Sequence, residues 1–435
     1  MQVQRSFLIG ISIICLSIFL SFFNCSNEIE FKTVEIEPLT DVLTLELTIG
    51  ESSNLQDEYI IAEPRPIMVN NLNDILVVDE GRVKVFDAGG KEKHIFGRVG
   101  QGPGEFVELC GFFLSPQGYL TAMDAGGYSG GRNNVVGYRI NVSSRLSNHY
   151  NLFSPDYSLV EKKMLMNVLK LEEYLDSINI EEPRNYIIRK LFFINEIERV
   201  YEIRLNDNDP ESDIKYYTII LYENENTVKP IVHTIMPGTG ATGTPGEYFG
   251  TIQWALIPER KVMYVTPFED EHNERTVSRF TIHVISLDTF EDTKIYKEYT
   301  PILVPEDFKE SFINMEKERA QRMSQRGIPV GGTSDYKKNV RIYKALKYFP
   351  SIYTVRMDRN YAFLFTVDRT STTRMRNENL FAYVIDLNTG ESTSAAKFLF
   401  IPNVINNEYA YWIGVDEEEF PQIEKYRIDP AVYGK

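Results

Sequence analysis

An all-β fold of small antiparallel sheets repeated around a ring is what this chain predicts, and three observations carry the prediction. The first is composition: 26 Tyr and 26 Phe among 435 residues, beside frequent Val, Ile and Thr, suit a pleated surface. The second is the stretch from Ile75 to Phe106, ILVVDEGRVKVFDAGGKEKHIFGRVGQGPGEF, which reads as three strands with tight turns at Glu80-Gly81 and Ala88-Gly89-Gly90. Turns that short join only antiparallel neighbours. The third is an echo. Gly102-Pro103-Gly104-Glu105-Phe106 returns as Thr244-Pro245-Gly246-Glu247-Tyr248, each time at the exit of a meander and before an apolar strand. The separation fits two repeat units of about 70 residues, so the chain holds between about five and six.

The N-terminus reads as an address. Arg5 precedes an apolar run from Phe7 to Phe23, which ends at Asn24-Cys25 and the polar Ser26-Asn27-Glu28. This resembles a bacterial lipoprotein signal, with residues 1–24 removed, Cys25 as the lipid attachment site and residues 25–34 as a tether. Read instead as an uncleaved anchor, the segment still exports the remainder. Of the three cysteines, Cys15 lies in the apolar run and Cys25 at its end. Cys110 is left without an intrachain partner and reads as a small buried hydrophobe.

Residues 35–435 are expected to form one domain. Leu43–Ile49 is an early extended stretch that can return to complete the last sheet of a closed ring, removing two exposed edges. Ile67–Val69 begins the first full meander, and Phe112–Leu114, Tyr119–Met123, Val135–Ile140 and a strand near Ser147–Phe153 form the next. Strands follow at Tyr186–Phe193, Arg199–Ile203, Tyr216–Leu221 and Val228–Ile235, with Met164–Tyr174 ambiguous between strand and helix. Trp254–Ile257, Val262–Thr266, Phe280–Leu287 and Lys294–Tyr299 form a further set.

Between Pro305 and Gly327 the texture changes. Phe308, Phe312 and Met315 share one helical face while Lys309, Glu316, Lys317, Glu318, Arg319 and Arg322 are polar, which predicts a helical insertion near residues 306–326 whose apolar face docks on the scaffold. Strands resume at Ile352–Met357, Tyr361–Val367 and Leu380–Asp386, and a last set covers Ala395–Phe400, Tyr409–Val415 and Glu424–Ile428. Asp79, Asp87, Asp124, Asp368 and Asp386 recur at strand ends, where carboxylates accept backbone hydrogen bonds in tight turns.

Charge excludes some partners. With 46 basic and 62 acidic residues the net charge is -16, a field that repels phosphate backbones, so nucleic acid is not an expected partner. Gly97, Gly100, Gly102 and Gly104 lack both the GxxxxGK[ST] spacing and a following helix, and read as corners between sheets. The five histidines are dispersed, no EF-hand loop occurs, and no G-x-S-x-G elbow is present. No cofactor is predicted. Calcium is the candidate ion, with Asp124 beside a glycine-rich turn as its best single ligand.

The strand end at Asp79, the VKVFDAGGKEKHIFGRVGQGPGEF segment, its PGEY echo and the helical insertion together resemble the six-bladed β-propeller lipoproteins of bacteria, relatives of the NHL-repeat propellers. The resemblance implies six four-stranded antiparallel blades, and it carries no catalytic residues onto this chain. A propeller presents loops from every blade on one face, and Arg82, Arg98, Asp124, Tyr128, Arg132 and Trp254 are candidate contributors to it. The expected function is therefore an exported, lipid-anchored propeller that binds an envelope protein, peptide or glycan, held at the outer membrane or facing the periplasm. The alternatives are a metal-assisted hydrolase or lyase with an axial pocket, and a structural component of the envelope.

Overall fold

The computed structural model describes residues 27–30, 38–50, 57–107, 109–124, 138–141, 149–165, 174, 185–206, 214–237, 251–272, 278–325, 340–341, 343–366 and 380–435. Its strands form six sheets, each containing a four-stranded antiparallel meander, arranged as a six-bladed β-propeller. The inner strands of the six four-stranded units begin at Ile67, Leu109, Asn185, Gln253, Thr354 and Val404. The two GPGEF-like segments thus precede the second and fourth blades, and the echo does span two units.

Six apolar cores alternate with the six blades. One core joins Leu76, Val83 and Phe96 of the first blade to Phe112, Ala122 and Phe153 of the second. Equivalent cores follow between the second and third blades, the third and fourth, the fourth and fifth, the fifth and sixth, and the sixth and first. Each sheet is therefore sandwiched, and its central strands bury both faces. This is why Ile75–Asp79 and Leu120–Asp124 are buried along their whole length and read as apolar runs with no polar alternation.

The ring closes through the early strand. Leu43–Ile49 pairs antiparallel with Pro421–Ile428, running from Leu43 opposite Ile428 to Ile49 opposite Ile423. It becomes the outer strand of the sixth blade, with Ile49 in the core toward the first blade. Asp429 N donates to Val42 O at 2.9 Å, and Val42 packs in the core toward the fifth blade.

Two blades carry an extra strand. Tyr138–Asn141 crosses from the second blade to the inner edge of the third, pairing with Asn185–Ile188. Asn27–Glu30, within the expected tether, pairs in parallel with Thr293–Tyr296 at the outer edge of the fourth blade. Sequence periodicity signals neither, because each is a short segment whose partner is remote.

The helical insertion spans Glu306–Gln325, between the fourth and fifth blades. Phe308 meets Phe349 edge-on with ring centres 5.3 Å apart, and Phe312 stacks on Tyr343 at 5.4 Å. These contacts dock it as its pattern predicts, while Met315 at the end of the same stripe stays exposed. Residues 1–26, with the apolar run and Cys25, lie outside the described residues, as does the side chain of Cys110. Among the described residues no helix is long and apolar enough to cross a membrane.

Candidate functional site

The glycine-rich segment of the first blade is a corner, as its sequence suggests. Glu105 accepts from Gly102 N at 2.7 Å and from Arg98 Nε at 2.5 Å. These contacts hold its carboxyl below the usual carboxylate range, with the Gly102 amide as the largest cause. Lys162 of the second blade donates to the carbonyls of Gln101, Gly102 and Glu105 at 3.0, 2.9 and 3.1 Å. At Gly97, φ is +76° and an added Cβ would lie 2.3 Å from the Phe106 ring, so the turn and the buried Phe106 exist together only with glycine there. The segment is filled by its own groups and leaves no cradle for an anion.

The recurrent aspartates divide into two kinds. Asp87 accepts from Gly89 N and Lys91 N, each at 2.9 Å, and Asp386 accepts from Asn388 N at 2.9 Å, as expected of turn residues. Asp79 does something else. It is wholly buried, receives Lys84 Nζ at 2.5 Å, and accepts Glu63 N at 2.6 Å and Ala62 N at 3.2 Å from a preceding loop. Asp368 lies outside the described residues.

The sequence-nominated surface residues do not converge. Arg82 is exposed at a turn of the first blade, and Arg98 is exposed with its guanidinium on Glu105. Asp124 is buried, not exposed, and accepts Val107 N at 3.0 Å. The end of a central strand places its carboxylate inward to hold the incoming loop, which corrects its reading as an exposed ligand. Tyr128, Arg132 and the glycine-rich turn around them lie outside the described residues. Among the described residues no group of three or more His, Cys, Asp or Glu could hold a metal ion.

Trp254 leads to the site. It is buried on the inner strand of the fourth blade, not exposed on a loop face of the kind for which it was a candidate. Its Nε1 donates to Glu202 Oε2 at 2.8 Å, and Glu202 Oε1 accepts Arg204 Nε at 3.0 Å. Lys190 Nζ lies 4.9 Å from the indole centre and donates to Trp254 O at 3.1 Å. The third and fourth blades are thus joined at the inner rim by one chain: Arg204, Glu202, Trp254, Lys190.

Local backbone geometry builds this arrangement. In Asn185–Phe193 the register against the next strand slips between Ile188 and Lys190, making Arg189 the additional residue of a β-bulge. Bulges re-aim side chains, and this one sets two adjacent cations in a strand that is otherwise apolar around them. Both are half-buried, between the fully buried Ile188 and Leu191.

A fourth cation arrives from the fifth blade. Arg356, on the inner strand Thr354–Asp358, donates from Nε to Pro402 O at 2.7 Å, and from Nη1 to Thr354 Oγ1 at 3.0 Å and Val355 O at 2.9 Å. Thr354 Oγ1 in turn donates to Gln253 Oε1 of the fourth blade at 3.4 Å. The inner strand of the fifth blade touches those of the fourth and the sixth, so these bonds lie on the inner side of the ring.

The electrostatics follow from crowding. Burial pushes the Lys190 ammonium down to about 8, Arg204, Arg356 and Arg189 push it further the same way, and Glu202 opposes them. Burial likewise takes the Arg356 guanidinium down to about 10. For Glu202, burial favours the neutral acid, but Arg204, Lys190 and the indole N–H outweigh it and hold the carboxyl below its ordinary range. Among the described residues, Arg204, Lys190 and Arg189 lie near Glu202, and Arg356 near Lys190, in a chain whose net charge is -16. This set suits an anion and does not match the carboxylate or histidine ligands that a metal-assisted reaction at the axis would use.

No family model matches the chain, and no curated protein matches it. Among solved structures, a candidate exported protein from Bacteroides fragilis superposes with a TM-score of 0.44 at 13% identity, covering 92% of this chain and 99% of that one. The WD40 domain of Pan2 from Neurospora crassa gives 0.33 at 10% identity over 90% and 98%. The WD40 domain of SCAP from fission yeast gives 0.28 at 8% identity over 87% of each. Likenesses this distant carry no argument about activity, and the propeller assignment stands on the sheet topology.

Proposed function

We propose that this chain is an exported, lipid-anchored propeller of the bacterial envelope that binds a protein, peptide or glycan ligand, with its binding centre on the inner rim around Trp254. The observation that supports this reading is the set of buried and half-buried polar side chains that three blades bring to that rim. Polar groups held by a rigid scaffold are what a recognition site requires. The N-terminal signal-like segment supports the envelope location, and membership of the lipoprotein propellers related to NHL repeats belongs to the same proposal.

The two tryptophans supply the test. Trp412 stacks on Phe400 in the sixth blade, remote from the rim in the fold, so a Trp412→Phe variant leaves Trp254 as the sole indole. Envelope glycans and peptides titrated against that variant are expected to change its emission saturably for at least one component. A library that leaves Trp254 emission unchanged, with no component retained on the immobilised protein, refutes the proposal.

A further inference from the structure

We propose that the helical insertion hangs from the ring by a proton-dependent latch, in which Asp270, seated on Ser351, holds the neck of the insertion closed while it carries a proton and loosens it on ionising. The inference goes beyond the binding function proposed above and does not depend on it, because its test reads the fold alone.

A narrow neck joins the insertion to the ring. Leu303 and Tyr348 pair antiparallel, Phe349 N donates to Ile302 O at 2.9 Å, and Val304 N donates to Lys347 O at 3.0 Å. The insertion therefore leaves and returns through two adjacent segments, and Glu306–Gln325 packs back on them where Phe308 meets Phe349. Asp270 closes the neck from the fourth blade. It follows the short helical turn Pro267–Glu269, in the loop between the strands Lys261–Val265 and Ser278–Ser286. Its Oδ2 accepts Ser351 N at 3.1 Å and its Oδ1 accepts Ser351 Oγ at 2.9 Å. Ser351 is buried just beyond the neck, and the chain continues from it to Thr354, which reaches Gln253 on the inner rim.

The surroundings of the carboxyl make this grip sensitive to a proton. Asp79 faces Lys84, Glu223 faces Arg199 and Glu202 faces Arg204. Asp270 instead meets neutral donors, the Ser351 amide and hydroxyl and the Tyr299 hydroxyl, and among the described residues the charge that bears on it is the like charge of Glu269. One contact further out, Tyr299 Oη lies 2.9 Å from His272 Nδ1, and the His272 ring packs on Tyr348 with centres 4.6 Å apart. Burial lowers the His272 pKa and Lys347 adds to the effect, so the imidazole brings no counter-charge at neutral pH. A carboxylate partly withdrawn from water without a cation is unfavourable, and the neutral acid avoids that cost. Burial accordingly pushes the Asp270 carboxyl up to about 7, with the Ser351 and Tyr299 hydrogen bonds opposing and Glu269 assisting.

The same contacts supply a path for the proton. An ionised Asp270 accepts from Tyr299, whose oxygen accepts from His272 Nδ1. A protonated Asp270 donates to Tyr299, which donates to His272 Nδ1. The chain is complete in both directions and ends at an exposed imidazole. The carboxyl of the closed neck is raised to about 7, and that of a released, hydrated one returns to its ordinary value of 3.8. The latch is therefore strongest below the ordinary value and weakens as pH rises through the raised one. One proton links the two states, so the equilibrium for release grows by up to about tenfold per pH unit across that window and levels off above it.

The test is hydrogen–deuterium exchange of the full chain, in neutral detergent, in steps from about pH 5 to about pH 9 that bracket the window. Two variants accompany it: Asp270→Asn, which keeps the shape of the neutral acid, and Tyr299→Phe, which removes one donor to the carboxylate. Expressed as protection factors, the results are free of the intrinsic pH dependence of exchange. Protection of the amides in residues 302–304 and 347–353 is expected to fall at least about tenfold between about pH 5 and pH 7 in the parent chain. It should stay level in Asp270→Asn and fall over a window displaced to higher pH in Tyr299→Phe. The first blade, across the ring, should keep constant protection. His283 retains Asp292 and Glu269 in Asp270→Asn, so a fall that persists in that variant belongs to another group and overturns the inference. Level protection of the neck in the parent chain overturns it, as does an equal loss of protection in the first blade. If circular dichroism shows that Asp270→Asn does not fold, the Tyr299→Phe window decides: upward displacement supports the latch, and an unchanged window overturns it.

Discussion

Replacing Asp79 tests how this propeller tolerates charge in its core. Asp79 and Lys84 sit 2.5 Å apart on adjacent strands of the first blade, with side chains 0% and 3% exposed. The same carboxylate holds the Ala62 and Glu63 amides. Asp79→Ala strands a buried ammonium and releases two backbone donors, and breaking such a pair from one side costs about 3–5 kcal/mol. Lys84→Met leaves the carboxylate with its two amides and removes a charge-assisted bond worth about 1.5–3 kcal/mol. The double variant has no stranded charge, so it should be more stable than the sum of the single losses implies, by at least about 1 kcal/mol. Urea unfolding followed by fluorescence and circular dichroism measures the cycle, with shifted midpoints and constant slopes expected. An additive cycle, with coupling below about 0.5 kcal/mol, would refute the claim that the two groups stabilise the blade as a unit.

Two further outcomes follow from other parts of the ring. His283 is buried, which favours its neutral form, but Asp292 and Glu269 at 2.7 and 2.6 Å outweigh burial and raise its pKa. A raised folded value means that its contribution is complete below the unfolded pKa of about 6.5 and is lost as pH rises through the folded one. The stability gap between the parent chain and His283→Gln should therefore narrow as pH rises above about 6.5; a gap that stays constant as pH rises contradicts the assignment. Deleting residues 1–50 removes the closing strand and exposes the edge of Pro421–Ile428. The truncated chain should associate on size-exclusion chromatography and regain a monomeric profile with a peptide spanning residues 38–50. An unassisted monomer with an unchanged urea midpoint would show that the closing strand is dispensable.

What the sequence discloses and what it withholds have a common physical origin. Local signals are legible: the turns at Glu80-Gly81 and Asn388-Thr389-Gly390, the two-sided burial of ILVVD, the amphipathic stripe from Phe308, and the Glu105 corner all act over a few residues. Leu43–Ile49 could be assigned to ring closure because a circular fold needs a strand to complete its last sheet. Partnerships across the ring are less legible. Asp79 resembles the turn residue Asp87 in sequence, and only its buried surroundings distinguish them. The inner rim left one trace, the adjacent Arg189 and Lys190 inside the apolar segment YIIRKLFF, an irregularity that marks a bulge. Arg356 gives no comparable sign within TVRMD, because its neighbours are supplied by residues about 50 and 100 positions away, Pro402 and Gln253.

The closing seam also sets the order in which the molecule can be made. Leu43 emerges from the ribosome hundreds of residues ahead of Ile428, its partner in the finished ring. Closing so large a loop costs only about 2 kcal/mol more than closing one a tenth as long, so the delay is a matter of timing and not of energy. Until the C-terminal strand arrives, the sixth sheet is incomplete and the core between the sixth and first blades lacks Ile423. The ring can therefore lock only after nearly the whole chain has been made. Before that seam the chain has already been used once at a distance, for Asn27–Glu30 borders the fourth blade while Leu43–Ile49 waits for the sixth.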